Sequence, residues 1–281
     1  MVKNNVNKSY QIEEIDKKVM DHIYDYRITT CDVLKNLFFQ GQDISFVKEY
    51  YGKLRDAGYL ASAPLHPCKH YYYLTEKAIM ELYNHDKGAS FGFVVEQPLI
   101  ETYCILDFCC MGNSLRKKYT YESIKKDAPE LLQEHISDDQ YFIGTKNNKL
   151  IIGWVIVDHQ LNVDRVFQRL FPIVLKRCQY EAWENLIMSG HFAIAIVTSW
   201  ETKAQELRKK ILENQQQREG CGIEFSQNTK SVFDKSNNLF FPFQTKDNKT
   251  AKVHIYIHVA NDLKHLVLGQ KSKRKKIFRH K

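Results

Sequence analysis

The sequence predicts a protein of mixed class, α+β or α/β, with an N-terminal winged helix-turn-helix followed by an α/β domain. Three observations predict it. Three helix-spaced apolar stretches precede a β-rich segment punctuated by Pro64 and Pro67. Further on, the apolar run HFAIAIVTSW, of buried-strand length, leads into the helix-spaced segment ETKAQELRKKILENQQQR. Near the end, KVHIYIHVAND alternates Val253, Ile255, Ile257 and Val259 with His254, Tyr256 and His258, the period of a half-buried strand.

Taken in order, Ile15, Val19, Met20, Ile23 and Tyr24 recur near helical spacing and predict a first helix. Thr29 or Thr30 offers an N-cap to a second, CDVLKNLFF, with Val33, Leu34, Leu37 and Phe38 on one face. After the turn GQD, Ile44, Val47, Tyr51 and Leu54 mark a third helix, and Gly58 supplies its stop. YLASAPLHPCKHYYYLT reads as two strands around a proline-containing loop, the shape of a wing, and Thr75 caps a helix from Glu76 to about Tyr83. HDKGASFG ends this domain, placed at residues 10–86.

A second domain, placed at 96–262, starts with the apolar helical stretch PLIETYCILDFCCM, a lysine-rich connection through Asp127 and a short helix PELLQEHI. YFIGTKNNKLIIGWVIVD reads as a hairpin turning at Asn147 and Asn148, followed by one long helix from about Val163 to Met188. The basic tail 271–281 contains Lys273, Arg274, Lys275 and Lys276 among its seven cations and no acid, a composition that predicts disorder and phosphate attraction. It supplies seven of the chain's eight excess charges, which leaves the rest near neutral.

Composition excludes several classes. No run of 18 apolar residues occurs and the N-terminus lacks the apolar core of a secretory signal, so a cytoplasmic location with no membrane partner is expected. Seven cysteines without a C-x-x-C pair read as reduced thiols. No phosphate-binding glycine loop or nucleophile elbow is present, and no cofactor is expected on those grounds.

In a helix-turn-helix the second helix enters the major groove. Here its outward positions are Ser45, Lys48, Glu49, Gly52, Lys53 and Arg55, and the wing adds His66, Lys69 and His70. Double-stranded DNA is therefore the expected partner. HPCKH also suggests a metal, but it clusters three candidate ligands where a structural zinc needs four. Residues 1–88 hold 12 Lys and Arg against 12 Asp and Glu, so a protein-interaction module is the competing reading of this domain.

The segments KLRDAGYL, YYYLTEKA, KLIIGWVIVD and HFAIAIVTSWETKAQELRKKI, in this order, resemble the replication-relaxation family of plasmids and conjugative elements. The resemblance implies a degenerate restriction-endonuclease-like fold for the second domain, and a role in replication, mobilisation or its control. Replication or mobilisation proteins are candidate further partners, and a homodimer is a candidate assembly that the sequence alone does not decide. The alternative the resemblance carries is a relaxase or nuclease that nicks DNA at an origin with Mg or Mn. Asp138 or Asp139 would then be the first acid and Asp158 the second, with Ile156 where an acid is often found, and Lys176 or Asp164 recruited to the site. The competing readings are a helix or turn cap for Asp138 and Asp139 and a solvated strand end for Asp158. His254 and His258, four apart on a strand and so about 13 Å apart in backbone terms, read as two exposed histidines rather than a metal pair.

Overall fold

The computed structural model describes residues 10–83, 96–111, 116–132, 140–146, 148–158, 162–219, 239–244 and 250–269. The tail cations Lys273, Arg274, Lys275 and Lys276, and the acids Asp138 and Asp139, lie outside the described residues. The fold is mixed α and β, and the chain divides into two compact units, Met1–Leu106 and Asp107–Lys281.

The first unit contains α1 (Glu14–Tyr26), α2 (Cys31–Phe38), α3 (Ile44–Asp56), β1 (Leu60–His66), β2 (Lys69–Leu74) and α4 (Glu76–Tyr83). Short-range chemistry sets their limits. Thr30 caps α2 by accepting the Val33 N–H at 3.4 Å, and Gly58 follows α3 in the left-handed region at φ +82°. Thr75 donates to the Gly58 carbonyl at 2.6 Å, tying the start of α4 to the end of α3. Val19, Met20, Ile23, Leu34, Val47, Tyr51, Leu54, Leu60, Leu74 and Ala78 share one core.

β1 and β2 pair antiparallel from Leu60↔Leu74 onward. Pro64 lies within β1, not in the loop expected for it, and the register shifts between Pro64 and His66. A proline that removes one ladder donor is tolerated at a strand edge or irregularity. Thr29, between α1 and α2, exchanges both backbone hydrogen bonds with Tyr72 at 2.9 Å, adding a one-residue third strand.

The division between units falls within α5 (Glu96–Cys110), whose last turn from Asp107 belongs to the second. There follow β3 (Arg116–Lys118), α6 (Tyr121–Asp127), a 3-10 turn at Pro129–Leu132, β4 (Tyr141–Lys146), β5 (Lys149–Val157), α7 (Val163–Arg177), α8 (Glu181–Met188), β6 (Phe192–Thr198), α9 (Glu201–Glu219), β7 (Phe240–Gln244) and β8 (Thr250–Val259). A short helix occupies 263–269. The long helix expected over 163–188 is two helices, broken at Cys178–Tyr180. The expected lysine-rich connection contains β3 and α6.

The six strands run in the order β3-β4-β5-β6-β8-β7, with β5, β6 and β8 parallel at the centre and antiparallel pairs outside. Right-handed crossovers that step in one direction across a sheet put their helices on one face. In agreement, Val166, Leu170 and Val174 of α7, Trp183 and Ile187 of α8, and Leu207 and Ile211 of α9 share a core with Ile152, Ile156, Ile194, Ile196 and Ile255. Every residue of β6 is buried, as its uninterrupted apolar run requires.

On the other face Phe108 meets Phe142 edge-on at 4.9 Å. Phe142 also lies across Gly153 of β5, where a Cβ atom would overlap its ring.

Candidate functional site

In the first unit, Val47, Tyr51 and Leu54 fix α3 to the core, and Tyr50 donates to the buried Asp16 carboxylate at 2.6 Å. Ser45, Lys48, Glu49, Lys53 and Arg55 are exposed as expected, and Gly52 is half-buried. Phe46, which the sequence did not single out, is 43% exposed on the same helix. The face is electrically mixed. Lys53 pairs with Glu49 at 3.3 Å and Arg55 with Asp56 at 3.3 Å, while among the described residues Lys48 has no carboxylate partner. Exposed pairs of this kind contribute about 0–1 kcal/mol, so the two cations can exchange carboxylate for phosphate at little cost.

The hairpin lies beside the start of α2. Lys69 of β2 pairs with Asp32 at 2.6 Å, and Cys31 donates to the Tyr72 hydroxyl at 3.3 Å. Burial pushes the Cys31 thiol up, opposed by the Tyr72 hydrogen bond and the charges of Lys48 and Lys69. His70 is exposed. His66 is half-buried, and its Nδ1 accepts the Cys68 N–H across the turn at 3.4 Å. Lys69 is therefore a hairpin anchor as much as a solvent-facing cation. Among the described residues no three His, Cys, Asp or Glu side chains gather as a metal site.

In the second unit Asp158 is 1% exposed, which corrects its reading as a solvated strand end. It follows β5 directly. Its Oδ1 accepts the Asn162 N–H at 2.9 Å and its Oδ2 accepts the Thr198 hydroxyl at 3.4 Å, joining the carboxyl ends of β5 and β6 to the start of α7. The lysine nearest it is Lys203 of α9, with Nζ 3.9 Å from Oδ2. Lys176 is exposed in the last turn of α7, roughly 20 Å of helix away from Asn162, and does not join Asp158. Asp164 instead pairs with Lys210 across an open groove lined also by Asn162, Lys203 and Glu206. A lysine two residues into the helix after the next strand was the missed signal.

The two β8 histidines are half-buried, not exposed, and each has its own partner. His258 Nε2 lies 2.7 Å from Asp107 Oδ2, and His254 Nδ1 lies 3.2 Å from Lys146 Nζ. Burial, then the Lys146 charge, lowers the His254 pKa, and burial lowers that of Lys146.

On the helix-covered face Arg177 is 8% exposed. It donates to the Tyr141 hydroxyl at 2.9 Å, and its guanidinium lies 4.1 Å from the Trp154 ring centroid.

No protein-family model matches the chain, and no curated protein matches it. Among the described residues, no helix is long and apolar enough to cross a membrane.

Proposed function

We propose that the chain is a DNA-binding protein whose first unit is a winged helix that reads duplex DNA through α3, in the replication or mobilisation of a plasmid or mobile element, or their control. The observation that carries this reading is the placement of α3. One side is held in the core by Val47, Tyr51 and Leu54, while Ser45, Lys48, Glu49, Lys53 and Arg55 face solvent. The element order, and the strand contributed by Thr29 to the hairpin, support the winged-helix assignment. The assignment to a mobile element rests on the sequence resemblance.

The test is a fluorescence-anisotropy titration of full-length protein against candidate origin and promoter duplexes and against random duplex at physiological salt. Preferred binding to one duplex is expected, and Lys48→Ala should weaken it and lower the salt slope by about 0.9 for each phosphate no longer neutralised. Equal affinity for every duplex overturns the reading.

For the second unit, the antiparallel β4–β5 hairpin leading to Asp158 is compatible with a degenerate nuclease-like fold. The described residues do not fit a divalent-cation centre as they stand, because both Asp158 oxygens are engaged by Asn162, Thr198 and Lys203. The Asp158 environment supports a structural role for this carboxylate.

A further inference from the structure

Charge is divided unevenly between the two units. Residues 1–106 hold 12 Lys and Arg against 14 Asp and Glu, a net of −2. Subtracting these from the chain totals of 41 and 33 leaves 29 against 19 for residues 107–281, a net of +10. The tail's seven cations account for most of this, and a surplus of +3 remains on 107–270. The attraction for polyanions therefore belongs mainly to the second unit.

Within that unit, Trp200 marks a place where a strand could be held. It lies between the end of β6 and the start of α9, at the carboxyl edge of the parallel strands. Its half-buried indole has two ammonium groups near it, Lys203 Nζ at 5.5 Å and Lys264 Nζ at 5.2 Å from the ring centroid. Lys203 has the buried Asp158 at 3.9 Å, whereas among the described residues Lys264 has no carboxylate partner. The adjoining Ser199 hydroxyl is buried with no hydrogen-bond partner among the described residues. Two ammonium groups beside one ring make this edge locally positive, which attracts an anion. The first turn of the 19-residue α9 adds its own preference for negative charge.

We propose that the edge formed by Trp200, Lys203 and Lys264 binds a single strand of nucleic acid. Lys203 and Lys264 hold a backbone phosphate, and an unpaired base stacks on the exposed part of the indole. A base inside a duplex has both faces covered by its stacked neighbours, so the site favours single strands over duplex interiors. This inference does not rest on duplex reading by the first unit, and each can fail alone.

The experiment is an anisotropy titration of full-length protein with a labelled oligothymidylate of about 16 nucleotides. Random duplex and inorganic phosphate serve as competitors, and the variants are Trp200→Ala, Trp200→Phe, Lys264→Ala and Lys48→Ala. Trp200→Ala should weaken oligothymidylate binding roughly five- to 150-fold, the range expected when one base loses its stacking partner. Lys264→Ala should weaken it and lower the salt slope by about 0.7. Trp200→Phe keeps a ring and guards against a folding defect. It should bind with intermediate affinity while losing most of the tryptophan quenching that the oligonucleotide causes in the parent protein. Lys48→Ala should leave oligothymidylate binding unchanged. Failure of the parent protein to bind oligothymidylate at about 50 mM salt overturns the proposal. So does unchanged affinity in both Trp200→Ala and Lys264→Ala, or displacement by duplex as readily as by unlabelled oligothymidylate.

Discussion

Replacing Asp158 by alanine tests whether this carboxylate holds the second unit together. The side chain is 1% exposed and accepts from the Asn162 N–H at 2.9 Å and the Thr198 hydroxyl at 3.4 Å, with Lys203 at 3.9 Å. Alanine leaves the hydroxyl of the buried Thr198 without an acceptor, costing about 1–3 kcal/mol, and releases the N–H of the exposed Asn162, which water can take up at smaller cost. It also leaves Lys203, 15% exposed, without its nearby carboxylate. A total of about 3 kcal/mol is expected, allowing for rearrangement of the hydroxyl and of the lysine. For a unit of this size that corresponds to a fall in Tm of roughly 6–12 °C. Asp158→Asn keeps an oxygen for the Asn162 N–H and should lose about half as much. The assay is thermal unfolding followed by tryptophan fluorescence, which reports on the second unit alone because Trp154, Trp183 and Trp200 all belong to it. An Asp158→Ala protein that melts within a degree of the parent refutes the reasoning.

Gly153→Ala would drive a methyl group into the Phe142 ring, which is 1% exposed and has little room to move. A loss of about 1–3 kcal/mol is expected in the same assay, and an unchanged Tm would show that the sheet yields at this point. Thr30→Ala removes the acceptor for the Val33 N–H and should cost about 1 kcal/mol, read as faster amide exchange throughout α2. Equal exchange in the two proteins would show that this cap contributes nothing. Burial lowers the His22 pKa from 6.5 to about 4, so between those values the unfolded chain binds a proton that the folded unit refuses. Stability of the first unit is therefore fully present above pH 6.5 and falls by about 3 kcal/mol as the pH drops to 4. Amide exchange measured across this range should show the fall in the parent and a weaker one in His22→Gln, and identical profiles would contradict it.

The features legible in the sequence are those set by nearby residues. Thr30, Gly58 and Thr75 each bound a helix through contacts a few residues away or through a left-handed φ; Gly58 and Thr75 were readable from residue type and spacing, and Thr30 as one of two candidates with Thr29. The buried run of β6 and the alternation of β8 were readable because burial imposes its period on the sequence. Features set by distant partners were not. β3 is three residues long and exists as a strand through its pairing with β4, and β7 likewise through its pairing with β8. The break between α7 and α8 at Cys178–Tyr180 carries neither glycine nor proline. At the site level, the outward positions of α3 followed from helical period alone. The burial of Asp158, its approach to Lys203, and the pairing of His258 with Asp107, 151 residues earlier, depend on the tertiary fold.

The most direct test of duplex reading by α3 is selection of bound sequences from a randomised duplex library with full-length protein, repeated with Ser45→Ala and Lys48→Ala. Enrichment of one short motif by the parent, with altered preference in Ser45→Ala and weaker binding overall in Lys48→Ala, is the predicted result. A library that emerges without a shared motif, or the same motif at the same affinity from all three proteins, would contradict the claim that α3 reads DNA.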